Sequence, residues 1–186
     1  MKIQSVAVFC GSKSGRNDLY EAHARQVGQL LATLGLELIY GGGNKGLMGA
    51  VANAALEGGA TVTGVIPEVL TAFEHQHTGL SMLHVVKDMH IRKQMMYNLS
   101  QAVVILAGGT GTLDEFFEVL TWNNLSIHHK SIIVLNTAGF YNPLLQHFAR
   151  MQQEGFLHND WQANLVICHT PDELHAHLSP RLVNQP

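Results

Sequence analysis

Short apolar runs recur along the chain, and longer segments of helical period separate them. The runs are "SVAVFC" (5–10), "LELIY" (36–40), "TVTGVI" (61–66), "MLHVVK" (82–87), "AVVIL" (102–106), "SIIVLN" (131–136) and "NLVICH" (164–169). Between them, helical patterns cover residues 18–34, 47–56, 90–99, 112–123 and 142 to about 155. A short last helix opens at Thr170-Pro171. Strands alternating with helices predict a parallel sheet with crossover helices, a single doubly wound α/β domain over residues 1–186. The punctuation agrees. Asp18 is placed to cap the first helix, and Gly35 ends it. Gly58-Gly59 closes the second, and Thr170 with Pro171 starts the last. Residues 68–81 read as irregular.

Composition narrows the class. With 186 residues, 46% of them hydrophobic, the chain suits one substantial core. A net charge of −3 gives no electrostatic footprint for nucleic acid or an anionic membrane. No apolar run approaches the ~18–20 residues that span a bilayer, and the N-terminus reads as a first strand, not a secretion signal. Cys10 and Cys168 end apolar runs and read as buried reduced thiols, so the expected location is cytoplasmic. Twelve histidines invite a metal reading. The pairs His75/His77, His128/His129 and His175/His177 lack a third ligand at suitable spacing, and no metal is expected.

The chemistry gathers at strand ends, where open α/β sheets bind ligands. Three are rich in glycine: Gly11-Ser12-Lys13-Ser14-Gly15, Gly41-Gly42-Gly43-Asn44-Lys45-Gly46 and Gly108-Gly109-Thr110-Gly111-Thr112. Each leads toward a helix N-terminus, which offers unpaired N–H groups and partial positive charge to a phosphate. Ser12, Gly42, Gly43 and Gly108 to Thr112 are therefore candidate binding residues. The second loop matches G-x-G-x-x-G formally. However, Glu68, the first acid after the next strand, lies 27 residues beyond Gly41, too far for the ribose contact of a dinucleotide site. No P-loop lysine follows Gly46.

Carboxylates follow the third loop closely. With a phosphate on the amides of residues 109–112, Glu115 lies one turn on, ~4–5 Å along the axis at ~1.5 Å per residue. A 5′-phosphate and the anomeric carbon of the same ribose are separated by a comparable distance. A first-turn acid can also simply favour the helix dipole, and spacing alone leaves both readings open. Arg92 and Lys93 open another helix, where the dipole disfavours cations, and so suggest an anionic partner.

Three stretches carry a family resemblance: "GGGNKGLMG" (41–49), "MHIRKQMM" (89–96) and "AGGTGTLDE" (107–115). Together they resemble the Lonely Guy family of cytokinin riboside 5′-monophosphate phosphoribohydrolases, whose members are often labelled lysine decarboxylases. The likeness runs from "VAVFCGS" to Glu173. It implies a Rossmann-like fold, a homodimer, no cofactor, and hydrolysis of a nucleoside 5′-monophosphate to free base and ribose 5-phosphate. Carried onto this chain, Arg92 and Glu115 match the catalytic pair. Glu74, Lys93, Gly108, Gly109, Thr110, Gly111, Thr112, Leu113, Asp114 and Thr121 match substrate-binding positions. Ala107 stands where the motif has proline, which implies a more flexible loop entry and slower turnover or weaker phosphate binding. Other readings of the same loops are a non-catalytic nucleotide or ADP-ribose carrier and a pyridoxal-dependent decarboxylase, for which no lysine stands out. The loop 73–80 is expected to shape the base pocket with Met95 and Met96, two residues that equally fit a place in the core. Met96, Leu99, Trp122 and Leu125 are expected to form a dimer face.

Overall fold

A computed structural model describes residues 3–71 and 76–179. Seven strands form one sheet: β1 (Ser5–Phe9), β2 (Glu37–Tyr40), β3 (Val62–Pro67), β4 (Met82–Val86), β5 (Ala102–Ile105), β6 (Ser131–Leu135) and β7 (Val166–Cys168). Their order is β4-β3-β2-β1-β5-β6-β7, and every pairing is parallel. The helices are α1 (Asp18–Thr33), α2 (Gly46–Glu57), the single turn α3 (Glu68–Thr71), α4 (Met89–Leu99), α5 (Thr110–Asn124), α6 (Asn142–Gln153) and α7 (Pro171–Leu178).

The two-residue period of the strands divides the core into two halves. Val6, Val8, Val104, Ile133 and Leu135 face α1, α2 and α7 through Val27, Leu31, Val51 and Leu174. Ala7, Phe9, Val103, Ile105, Ile132 and Val134 face α4, α5 and α6 through Met96, Tyr97, Phe116, Val119 and Phe148. Strands buried on both faces must read as unbroken apolar runs, which is why the sequence shows them so clearly. The edge strands are exceptions: in β4 Met82 and Val85 are about half exposed, and in β7 Val166 and Ile167 are only partly buried. Among the described residues, no helix is long and apolar enough to cross a membrane.

Local chemistry shifts several boundaries. Asn17, not Asp18, caps α1: its Oδ1 accepts the Leu19 N–H at 3.0 Å, because the cap residue must keep extended backbone. Asp88 caps α4 through the Ile91 N–H, so this helix starts at Met89. Helix α5 starts at Thr110, two residues before the apolar pattern begins. Residues 68–71 form the turn α3 in a stretch expected to be irregular. The last strand is only three residues long, since a 3₁₀ turn occupies Trp161–Asn164.

Strand order reverses about β1. Strands β2, β3 and β4 are laid to one side, and the crossover through α4 returns to place β5 on the other. The crevice between the loops after β1 and β5 is the switch point of the sheet, where such folds hold ligands.

Candidate active site

A cleft of about 430 Å³ opens at this switch point. Its lining includes Gly11 to Gly15 after β1, Gly41 after β2, and Ala107 to Thr112 after β5, with Arg92 and Glu115 also lining it. Main-chain bonds tie the loops together: Gly11 N–H donates to the Ala107 carbonyl at 3.0 Å.

The three glycine loops do not play one role. The first-turn amides of α2 are already taken, since Leu47 and Met48 N–H both donate to the Gly11 carbonyl at 3.0 and 3.3 Å. That helix end is an internal joint. Gly42 and Gly43, expected to bind the ligand, do not line the cleft. Gly42 turns the chain away with φ +80°, and its carbonyl accepts the His77 N–H at 3.0 Å. Gly43 bridges to Gln76. By contrast, α5 starts after Gly109, which offers no side-chain cap. Its first-turn N–H groups have no intrahelical acceptor, and the helix end lines the cleft. Gly108 cannot carry a side chain here, because a Cβ would stand 2.2 Å from Thr112 Oγ1.

Arg92 and Glu115 meet inside the protein. Arg92 Nη1 lies 3.4 Å from Glu115 Oε1, and each residue is only 6% exposed. The guanidinium is fixed from other sides too. Its Nε donates to the Val65 carbonyl at 3.1 Å and its Nη2 to the Gly41 carbonyl at 3.5 Å, so it rests on the ends of β2 and β3. Tyr97 joins the two supporting helices, donating its hydroxyl to the Glu115 carbonyl at 3.0 Å. Burial, then the charges of Glu118, Glu115 and Asp114, push this phenol far above its ordinary range, so it stays a donor. Desolvating an ion pair is costly and a weak source of stability. Its place on the cleft wall makes the two residues candidates for chemistry.

Lys93 takes another direction. Its Nζ reaches Glu118 at 2.7 Å and Asp114 at 3.1 Å. Burial alone would lower its pKa, but hydrogen bonds and charge from these two carboxylates outweigh that and raise it. The anionic partners of the Arg92-Lys93 pair are thus the chain's own acids on α5. Lys93, Leu113, Asp114 and Thr121 do not line the cleft; Thr121 is exposed on α5. Ser12, Arg92, Glu115 and Gly108 to Thr112 do line it. Glu74 lies outside the described residues, as do 73 to 75 of the loop assigned to the base pocket. Met96 belongs to the core, fully buried against the sheet, and so leaves the expected dimer face. Leu99 and Leu125 are exposed, and Trp122 is half-buried.

The sequence reading missed Tyr20, Met48 and Phe140, which also line the cleft. Tyr20 reads as one more apolar residue of an amphipathic helix, and Phe140 follows a strand end with no glycine-rich run. The bonds of His77 are structural. Gly79 N–H donates to Nδ1 at 3.0 Å, which leaves the proton on Nε2 to reach Asn53 Oδ1 at 3.0 Å. Burial lowers its pKa and keeps it neutral.

A doubly wound parallel sheet, with a buried arginine–carboxylate pair in its switch-point cleft, defines a Rossmann-like protein built to hold a small anionic ligand. Comparisons with known proteins narrow this class. Residues 48–178 match a family model described as "Possible lysine decarboxylase". The chain is 47% identical to a cytokinin riboside 5′-monophosphate phosphoribohydrolase of Rhodococcoides fascians, over 89% of this chain and 84% of that one. It is 39% identical to the enzyme of that name in Arabidopsis thaliana, over 93% and 80%. The chain belongs to the family of cytokinin riboside 5′-monophosphate phosphoribohydrolases. Among solved structures, a molybdenum cofactor binding protein of Rippkaea orientalis superposes with a TM-score of 0.71 over 96% of both chains. At 21% identity this shows a shared fold.

Proposed function

We propose that this chain hydrolyses the N-glycosidic bond of nucleoside 5′-monophosphates, cytokinin riboside 5′-monophosphate or AMP, to free base and ribose 5-phosphate. Its relatives carry that activity in their names. The observation that carries the reading is the buried Arg92–Glu115 pair one helical turn from the uncapped start of α5.

The substrate phosphate rests on the amides at the start of α5, with Ser12 beside it. Remote binding energy thereby becomes positioning of the sugar. Breaking the C1′–N bond leaves positive charge on the ribose. Glu115 stabilises that charge and takes a proton from the attacking water. The oxygen of that water becomes the new hydroxyl on C1′, and the departing base leaves with the bonding electron pair and gains a proton. Arg92 orients Glu115 and steadies charge on the departing base. By family resemblance, Glu74, Lys93 and Thr121 contact the substrate. Phe117, Leu125, Leu99 and half-buried Trp122 form a face for a second copy of the chain; the first three are 38%, 65% and 40% exposed. The resemblance supports a homodimer, and the exposed face supplies the surface it needs.

The test is a product assay across a panel of nucleoside monophosphates, with AMP and a prenylated AMP included. Stoichiometric base and ribose 5-phosphate are expected. Binding of every nucleotide without release of base would replace the enzyme by a carrier. Gel filtration at the mass of one chain would remove the dimer.

A further inference from the structure

The cleft runs across the ends of four strands. Its lining starts at Gly41 and Arg92, crosses the β1 and β5 loops, and ends at Tyr20 on α1 and Phe140 after β6. Strands β2, β1, β5 and β6 are consecutive in the sheet. Three spacings of ~4.8 Å, about 14 Å in all, separate the strands from which the two ends of the lining depart. The start of α5 lies between them. With Glu115 facing C1′, sugar and base lie toward Arg92. The far end then meets the phosphate from the opposite side.

That end has a definite character. Tyr20 and Phe140 pack edge to face, with centroids 5.7 Å apart and planes at 77°. Phe140 is 39% exposed although it stands at the cleft wall. It is held there by a strained turn: Ala138 and Gly139 both take left-handed backbone, with φ of 52° and 71°. A non-glycine residue in this region is uncommon and persists where its surroundings hold it. Here they do. Buried Asn136 accepts the Tyr141 N–H at 2.7 Å and donates to Asn142 at 2.8 Å. Tyr141 donates its hydroxyl to the Leu106 carbonyl at 2.7 Å, tying the turn to the end of β5. Thr137 is hydrogen-bonded to His23 of α1 at 2.8 Å.

The residues on the way are Ser12, Lys13 and Ser14. Ser12 and Lys13 suit a second phosphate. Beyond them an anion would be poorly placed, because Ser14 is bonded to the Glu21 carboxylate at 3.1 Å and the wall is aromatic. A planar aromatic ring fits that wall by stacking.

We propose that Tyr20 and Phe140 form a subsite for a planar aromatic group joined through the far side of the substrate phosphate, so that pyrophosphate-linked dinucleotides span the cleft. The placement of sugar and base rests on the hydrolase reading above; the aromatic wall does not. The test measures binding of ADP and of diadenosine 5′,5′-pyrophosphate by calorimetry, on the Glu115→Gln protein so that no turnover intrudes. The dinucleotide is expected to bind about tenfold more tightly than ADP, the worth of one stacked base. That ratio should fall toward one in Phe140→Ala, persist in Phe140→Trp, and fall again in Tyr20→Leu. A ratio near one in the parent, or one unchanged by Phe140→Ala and Tyr20→Leu, overturns the proposal. Failure of the wild-type protein to release adenine from AMP would instead remove the hydrolase reading, and the ratio would still be measurable.

Discussion

Gly41 and Arg92 are in contact to the limit of what a backbone allows: a Cβ on Gly41 would stand 2.1 Å from Arg92 Nη2. The glycine that ends β2 is there to let a guanidinium lie flat across the strand end. Its carbonyl also receives that guanidinium. Gly41→Ala should therefore push Arg92 off Glu115 while the sheet stays intact. Misplacing a positioned group by about 1 Å costs roughly 10²-fold in rate. Steady-state hydrolysis of AMP should show such a loss in kcat/KM, with circular dichroism unchanged.

Glu115→Gln keeps the size and hydrogen-bonding reach of the side chain and removes its charge. Turnover should fall by about 10²–10³, the cost of losing one charge-stabilising group. Nucleotide affinity should stay within a few-fold. Near-native turnover would end the role given to Glu115.

Tyr97→Phe removes the buried hydrogen bond from its hydroxyl to the Glu115 carbonyl. Urea unfolding should show a loss of about 1 kcal/mol. Because the bond joins the helix of Arg92 to the helix of Glu115, kcat should fall more than KM changes. A mutant that loses stability but keeps kcat would make Tyr97 a packing residue alone.

Burial lowers the pKa of His77 and of His23. Both have folded values below the unfolded 6.5, so the unfolded chain binds protons first as pH falls. Their contribution to stability is complete above pH 6.5 and is lost as the pH drops through the folded values. The melting temperature should decline between pH 7 and 5, and less steeply in His77→Gln. An equally steep decline in that variant would exclude His77 as a source of it.

The exposed face of α5 offers a test of assembly. Leu125→Lys puts charge on a residue 65% exposed in the single chain. Surface substitutions of this kind change monomer stability by about 0.5 kcal/mol or less. Gel filtration should nevertheless shift toward the monomer. An unchanged elution volume would place the contact elsewhere.

The central strands of this protein were legible because they are buried on both faces and must be apolar throughout, as in "SVAVFC" and "SIIVLN". The uncapped glycine turn before α5 was legible for a similar reason, since only glycine admits the approach of Thr112 to Gly108. Helix ends were less so. Asn17 and Asp18 are both good caps, and the choice between them depends on which residue keeps extended backbone.

Local pattern thus determined the alternation of strands and helices, the glycine turns and the acid one turn beyond the third of them. These follow from backbone sterics and from burial of single elements, which neighbouring residues specify. Tertiary structure alone decided the pairings. It gave Arg92 to Glu115 and Lys93 to Asp114 and Glu118, although both cations open the same helix. It also set the α2 amides on Gly11, left the α5 start facing the cleft, and brought Phe140 beside Tyr20. Such partners lie far apart in the chain, and the order in which a parallel sheet is laid down brings them together.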